Sequence, residues 1–326
     1  MRGESRKMNN TCNSFRYIAF LQLPSFRITL SALFGITSLT SVSLNSLILY
    51  SIWKNPSLHK PSYLLLSNLA LSDLMFGAFA DTLTILGHYA YIKEWSTKFC
   101  YIATAALVIG QQWLGSVSLY CLTLISIDRL LAIRLRNRYR SFVTSRRIWM
   151  VTIPYWLVVL LLLLTLLLSN TLSYAIHTVF PCLLFVLLTT IIVCYSMALY
   201  SLKKLTSPVS SSSEQSDNGS SNFDVSQYRR SMNTMMIVML TSLLLYLPYV
   251  CSAATFYAIN GKVLSSITLY KILCISSLIM AINSTVNPLL YLWRMQDIRQ
   301  EVKTTVKRIL RREHRSVQNE EGSNTR

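Results

Sequence analysis

The feature that most constrains this chain is a succession of uncharged apolar runs, each long enough to cross a bilayer. A spanning helix needs roughly 20 consecutive apolar residues, because the hydrocarbon core is about 30 Å thick and an α-helix rises about 1.5 Å per residue. Runs of that length or more cover 28–53, 99–127, 148–202, 231–261 and 272–293. The third is twice too long for one helix, and "LLLSNTLSYAIHT" near its middle carries the polar residues of a tight turn, so it divides into two spans. Between the first two runs lies "YLLLSNLALSDLMFGAFADTLTIL", apolar apart from Asp73 and Asp81, which fits one more. The expected fold is therefore an all-α membrane protein, a seven-transmembrane helix bundle over 27–293. The composition agrees: 52% of the 326 residues are hydrophobic and only 13% charged, too apolar and too clustered for one ordinary soluble core.

Orientation follows from lysine and arginine, which are retained on the cytoplasmic side. With seven spans the two termini lie on opposite faces. The segments 54–61, 129–147 and 203–230 and the tail after Trp293 hold 22 of the 31 basic residues, which makes that set cytoplasmic. The stretch up to Arg27 dissents with five basic residues, but the short 129–147 loop flanks two spans and is densely basic. The expected arrangement is a multi-pass plasma-membrane protein with an extracellular tail over 1–26 and its C-terminus inside. The polar start is not that of a cleavable signal peptide, so the first helix is expected to serve as the insertion signal. The net charge of +18 reads as orientation and attraction to anionic lipids. Nucleic acid is not expected as a partner, because no basic patch stands on a foldable soluble domain.

Three segments lie outside the spans. Residues 203–230 are serine-rich and poor in apolar residues, the composition of a flexible cytoplasmic loop and a plausible target for kinases. After Trp293, Ile298, Val302, Val306, Ile309 and Leu310 recur at helical spacing between basic residues, which predicts an amphipathic helix over 294–312 along the membrane surface. Residues 313–326 read as a disordered tail. Asn9 with Thr11 forms a glycosylation sequon on the outer tail, and similar matches at Asn218 and Asn283 fall in the cytosol and the membrane.

A charge inside a spanning helix costs on the order of 2.5–3.5 kcal/mol on insertion scales, so Asp73 should face the interior and have partners. Asn45, Ser118, Asn283, Ser284 and Asn287 are polar residues of other spans that could reach it. Such oxygens could hold a sodium ion or form a hydrogen-bond network with water. The seven cysteines and four histidines show no metal spacing, and no convergent nucleophile supports an enzyme. Pro154, Pro181, Pro248 and Pro288 fall inside predicted helices, where each favours a kink. A secondary transporter would show internal repeats, and none is visible.

"NLALSD" in the second span, "SIDRLLAI" ending the third, "YLPY" in the sixth and "NSTVNPLLY" in the seventh resemble the signature motifs of rhodopsin-like, class A G-protein-coupled receptors. The resemblance covers roughly 28–310, with each motif on the matching helix and in order. It implies a receptor that passes an extracellular ligand's signal to a heterotrimeric G protein, with kinases and arrestin as further partners at the third cytoplasmic loop. On this resemblance Asp128 restrains Arg129, which is later freed to receive the G protein. Leu130 stands in place of the family's tyrosine. Tyr195, Asn287, Pro288 and Tyr291 match switch positions; Pro248 supplies the sixth-helix bend, and Tyr246 replaces the usual tryptophan before it.

Other positions depart from the family pattern. Thr104 stands where a cysteine is common, with Cys100 one turn earlier, and the short loop near 169–177 has no cysteine, so the usual disulfide is not expected. Leu187 replaces the fifth-helix proline. A short second outer loop without bridge or proline resembles the melanocortin, cannabinoid, lysophospholipid and adenosine receptors. Melanocortin-type acidic clusters have no counterpart at Leu83, Thr104 and Val108. Tyr228 replaces an acid that often pairs with the motif arginine, which leaves a constitutively active or ligandless receptor as an alternative. Arg136-Asn137 replaces the apolar contact of the second cytoplasmic loop.

Gln111 occupies the aspartate position of amine receptors and Ala281 the lysine position of opsins, which argues against amines and retinal. Gln111, Gln112, Gly115, Tyr246, Tyr249 and Ser277 are expected to bound a mostly neutral pocket for a small polar, lipid-like or peptide ligand. Asp81, nearer the outer end, is expected to pair with a basic ligand group or with Lys271.

Overall fold

The computed structural model describes residues 24–92, 97–135, 138–168, 172–205, 225–258 and 267–308. Seven helices are long and apolar enough to cross a membrane. They are α1 (Pro24–Lys54), α2 (Pro61–Met75, continuing through a π-helical segment Phe76–Asp81 into Thr82–Ile92), α3 (Thr97–Leu135), α4 (Ser145–Leu168), α5 (Leu172–Leu205), α6 (Val225–Ala258) and α7 (Ile267–Arg294). A further helix, α8, covers 296–308. Among the described residues there is no strand.

Packing partners close a ring. α1 meets α2, α3 meets α4 and α5, α5 meets α6, α6 meets α7, and α7 returns to α1, while α3 also contacts α2 and α6. α3 is the central helix: 67% of its spanning window is buried, against 22% for α4 at the periphery. The distribution of side chains is that of a bundle solvated by lipid. Leu39, Val158, Phe185 and Leu244 point outward, whereas Asn45, Asp73, Ser118, Asn283 and Asn287 are buried. In hydrocarbon the polar groups must find one another inside, and the apolar ones need no such partner.

The helices continue at several ends where the hydropathy reading stopped them. Pro24 to Phe26 are already helical, so α1 includes the last residues of the expected outer tail. α5 reaches Leu205 and α6 starts at Val225, which shortens the segment expected to be a loop to 206–224; those residues lie outside the described ones. Helical hydrogen bonding does not stop where apolarity stops, and polar residues on the next turns continue it at little cost. Within the long third run, α4 ends at Leu168 and α5 begins at Leu172, at the polar stretch that divided it. The four prolines singled out in the sequence all lie inside helices: Pro154 in α4, Pro181 in α5, Pro248 in α6 and Pro288 in α7.

α8 departs from the expected surface helix in what its stripe touches. Ile298 and Val302 are buried against the bundle, with Val306 packed beside them, and Thr305 accepts a hydrogen bond from Ser51 at 3.3 Å. Tyr63 at the start of α2 donates to Asp297 at 2.8 Å. The bundle's own end supplies apolar surface nearer than the lipid, so the first turns of the stripe are spent on protein. Ile309 and Leu310 lie outside the described residues.

Candidate functional site

The interior polar cluster is built where α1, α2, α3 and α7 approach. Asp73, fully buried, accepts from Ser118 Oγ at 2.8 Å and from Asn287 Nδ2 at 2.8 Å, which ties α2 to α3 and α7. Ser242 of α6 donates to Asn287 Oδ1 at 3.4 Å. Asn45 Nδ2 donates to the carbonyl of Ser284 at 3.0 Å, and Ser41 donates to the carbonyls of Asp73 at 2.9 Å and Ser284 at 3.3 Å. Thus the expected partners do converge on Asp73 or beside it. Asn283 is buried too, but neither its amide nitrogen nor its oxygen has a hydrogen-bond partner, and Asn45 Oδ1 has none either. Ser41 and Ser242 were not in the sequence expectation. Ser41 was legible in principle, since it lies one helical turn before Asn45 and so shares its face.

Along α2 the approach to α1 is close. The π-helical segment Phe76–Asp81 widens the backbone, and α1 hydroxyls bond to it: Ser38 donates to the Gly77 carbonyl at 2.8 Å and Thr37 to Asp81 Oδ2 at 3.1 Å. A Cβ at Gly77 would stand 2.9 Å from Ser41 Cβ, so this helix pair needs glycine there. Asp81 is fully buried. The Lys271 ammonium instead lies 5.9 Å from the ring centroid of Phe26. Asp81, expected to pair with a basic ligand group or with Lys271, instead makes a helix-to-helix bond to Thr37 from the end of the π-helical segment.

At the end of the bundle expected to face the cytoplasm, four side chains form one knot. Arg129, 12% exposed, is ion-paired to Asp128 and donates to Ser62 Oγ at 2.7 Å. Ser62 in turn lies 3.2 Å from Asp128 Oδ2 and 3.2 Å from the Tyr139 hydroxyl, and Tyr139 donates to Asp128 Oδ1. Tyr139 sits on a one-turn helix Tyr139–Phe142 between α3 and α4. Burial, then the charge and hydrogen bonding of Asp128, push the Tyr139 hydroxyl well above the usual tyrosine range, so it stays a donor. Arg129 thus has the partner expected of it in Asp128 and bonds Ser62 as well, while Tyr139 joins the knot through Asp128 and Ser62, two residues the sequence did not offer. Ser62 and Tyr139 come from other segments, and only folding brings them near. Arg136 and Asn137 lie outside the described residues.

The remaining switch positions are interior. Tyr195 and Tyr291 are buried, Tyr291 completely, and its hydroxyl has no hydrogen-bond partner. Tyr246 donates to the backbone carbonyl of Gly115 at 3.1 Å, which fastens α6 to α3 just before Pro248. The side chain of Tyr228 lies outside the described ones.

The polar side chains expected to bound a ligand pocket are bonded within the bundle. Gln112 donates to the Tyr249 hydroxyl at 2.8 Å, Gln111 donates to Thr84 at 3.1 Å, and Ser277 donates to the carbonyl of Cys274 in its own helix at 2.8 Å. Gly115 faces Met280 and Phe76. None of the six lines the apolar cavity of about 500 Å³ among α2, α3 and α4, whose walls include Phe79, Leu83, Gly110, Trp113 and Leu160. Cys121, Cys182, Cys194 and Cys251 are free; the side chains of Cys100 and Thr104 and all of Asn9 lie outside the described ones. Among the described residues no group of histidines, cysteines or acids could hold a metal ion.

Residues 44–291 match the family described as 7 transmembrane receptor (rhodopsin family). The chain is 34% identical over 128 residues to olfactory receptor 51V1 of Homo sapiens, covering 39% of this chain and 37% of that one. It is 30% identical over 138 residues to adenosine receptor A3 of Canis lupus familiaris, covering 42% and 41%. The matched stretches thus span about two fifths of the length of these curated relatives. The family match covers most of the chain, including all seven spans at least in part and the motifs at Asp73, Asp128-Arg129, Pro248 and Asn287-Pro288. The chain belongs to the seven-transmembrane receptors of the rhodopsin family.

Proposed function

We propose that this receptor converts an extracellular ligand into activation of a heterotrimeric G protein by opening a cytoplasmic cleft at Arg129. The observation that carries the reading is the knot of Asp128, Arg129, Ser62 and Tyr139 at the expected inner mouth. An arginine held there by one carboxylate and one hydroxyl is satisfied in the closed bundle, and a rearrangement of α6 offers it other partners. Asp73, Asn287, Pro288, Tyr195, Tyr291, Tyr246 and Pro248 are the residues through which the outer half would bias that step. Nucleotide exchange on purified G proteins, driven by the receptor in nanodiscs against lipids, nucleosides, peptides and small metabolites, tests it. Arg129→Ala should abolish ligand-dependent exchange; undiminished exchange in that variant would overturn the role given to Arg129.

The ligand is read from Gln111, Gln112, Gly115, Tyr246, Tyr249 and Ser277 as neutral: a small polar, lipid-like or peptide molecule. It would gain by replacing the Gln112–Tyr249 and Gln111–Thr84 bonds, since displaced polar groups must be repaired in a buried site. Similarity to an adenosine receptor touches one of the four receptor groups resembled by the short outer loop, and similarity to olfactory receptors stands outside them.

A sodium ion fits the interior cluster chemically. Asp73 and Ser118 supply hard oxygen donors, and the buried oxygens of Asn283 and Asn45 without hydrogen-bond partners are acceptors of the kind such an ion uses. Bound there, it would add positive charge between α2, α3 and α7 and favour the closed bundle. The proposed setting is the plasma membrane, with the tail bearing Asn9 outside and glycosylated. Inside, the basic loops and α8 meet anionic lipids, and the 206–224 segment is offered to kinases and arrestin.

A further inference from the structure

The one-turn helix Tyr139–Phe142 carries a serine whose surroundings the receptor reading does not use. Ser141 is exposed, as are Arg138 three residues before it, Arg140 immediately before it and Phe142 after it. The Ser141 hydroxyl donates to the Arg138 carbonyl at 2.8 Å. Within the turn itself little holds it in place. Its closing backbone bond is Val143 N–H to the Tyr139 carbonyl at 2.8 Å, Arg138 contributes no side-chain cap, and none of its four residues is buried. A single helical turn of this kind unfolds locally at small cost. Arginine-directed protein kinases take their substrate as an extended segment whose guanidinium groups pair with carboxylates of the enzyme, which the exposed Arg138 and Arg140 allow.

Extending 138–142 has one structural consequence. Tyr139 lies within that segment and is bonded through its hydroxyl to Asp128, the residue that restrains Arg129. The kinase can draw the segment out only when that bond is open.

We propose that Ser141 is a phosphorylation site for an arginine-directed serine/threonine protein kinase, and that its modification is coupled to release of Tyr139 from Asp128. Ser141 Oγ attacks the γ-phosphorus of ATP bound by the kinase. The Oγ–P bond forms as the P–O bond to ADP breaks, ADP leaves with the electron pair, and the hydroxyl proton passes to the kinase's base. The new dianion lies beside Arg138 and Arg140. It also competes for Arg147, which donates to the Phe142 carbonyl at 2.6 Å and lies 5.1 Å from the Phe142 ring centroid. The inference rests on the cytoplasmic reading of 129–147.

The test uses the full chain in lipid nanodiscs, where both faces are accessible, with a recombinant arginine-directed kinase and ATP and phosphopeptide mapping by mass spectrometry. Phosphate is expected on Ser141, absent in Ser141→Ala and reduced about fivefold or more in Arg138→Ala. The initial rate should rise about threefold to tenfold in Tyr139→Phe and in Ser62→Ala, each of which weakens the knot. An unmodified Ser141 in the full chain, when a peptide of the same sequence is modified, would overturn the site. Equal rates in the native chain and both knot variants would overturn the coupling. Labelling of Ser141→Cys by an impermeant maleimide on intact cells would instead overturn the orientation and leave the nanodisc chemistry standing.

Discussion

Asp128 receives Arg129, Ser62 and Tyr139 at once, so the energy of the inner knot is divided among several bonds. A hydrogen bond to a charged acceptor is worth about 1.5–3 kcal/mol. Tyr139→Phe should therefore raise basal exchange by roughly tenfold or more if the closed state dominates, read as GTPγS binding in the absence of ligand. Because the Tyr139 hydroxyl is held above its usual value near 10, its contribution is complete below that value and is lost only as pH rises beyond it. The effect of Tyr139→Phe should thus be flat between about pH 6 and 9; a midpoint in that window would show that another group governs the knot. Asp73→Asn keeps the volume but removes the carboxylate, and should abolish any suppression of basal exchange by sodium chloride relative to potassium chloride.

At the scale of elements, α2 carries most of the unusual geometry. Ser38 of α1 bonds the Gly77 carbonyl within its π-helical segment, Ser41 bonds the Asp73 carbonyl just before that segment, and Gly77 permits the approach. Gly77→Ala places a Cβ 2.9 Å from Ser41 Cβ and should cost about 1–3 kcal/mol as overpacking, read as a lower melting temperature in detergent. Ser41→Gly in the same chain should recover part of that loss, the non-additivity expected of residues in contact. An additive pair of effects would show that the two helices do not meet there. The existence of α2 was readable from "YLLLSNLALSDLMFGAFADTLTIL", but its π segment was not. An apolar run reports that a helix spans the membrane and is silent about one extra residue in a turn, so Asp81 was expected to pair with a basic ligand group or Lys271 and instead meets Thr37.

Across the whole molecule, the sequence was most informative where lipid imposes the rule. Seven spans, the burial of Asn45, Asp73, Ser118 and Asn287, and the position of the Asp128-Arg129 pair followed from length and from the cost of polar groups in hydrocarbon. Ser62, Tyr139 and the Gln112–Tyr249 bond required folding, since their partners lie 66, 11 and 137 residues away and no periodicity connects them. The division of labour among helices also fixes what kinds of change the molecule tolerates. Tyr246 of α6 is anchored to α3 through the carbonyl of Gly115, a main-chain atom common to every residue type. Its partner is therefore immune to ordinary amino-acid replacement on α3, where even an added methyl group at Gly115 would stand 3.6 Å from Met280, in normal contact. A saturation scan of α3 would pass over this joint in silence, and only Tyr246→Phe, which deletes one oxygen from the opposite side, would reveal how firmly the sixth helix is moored.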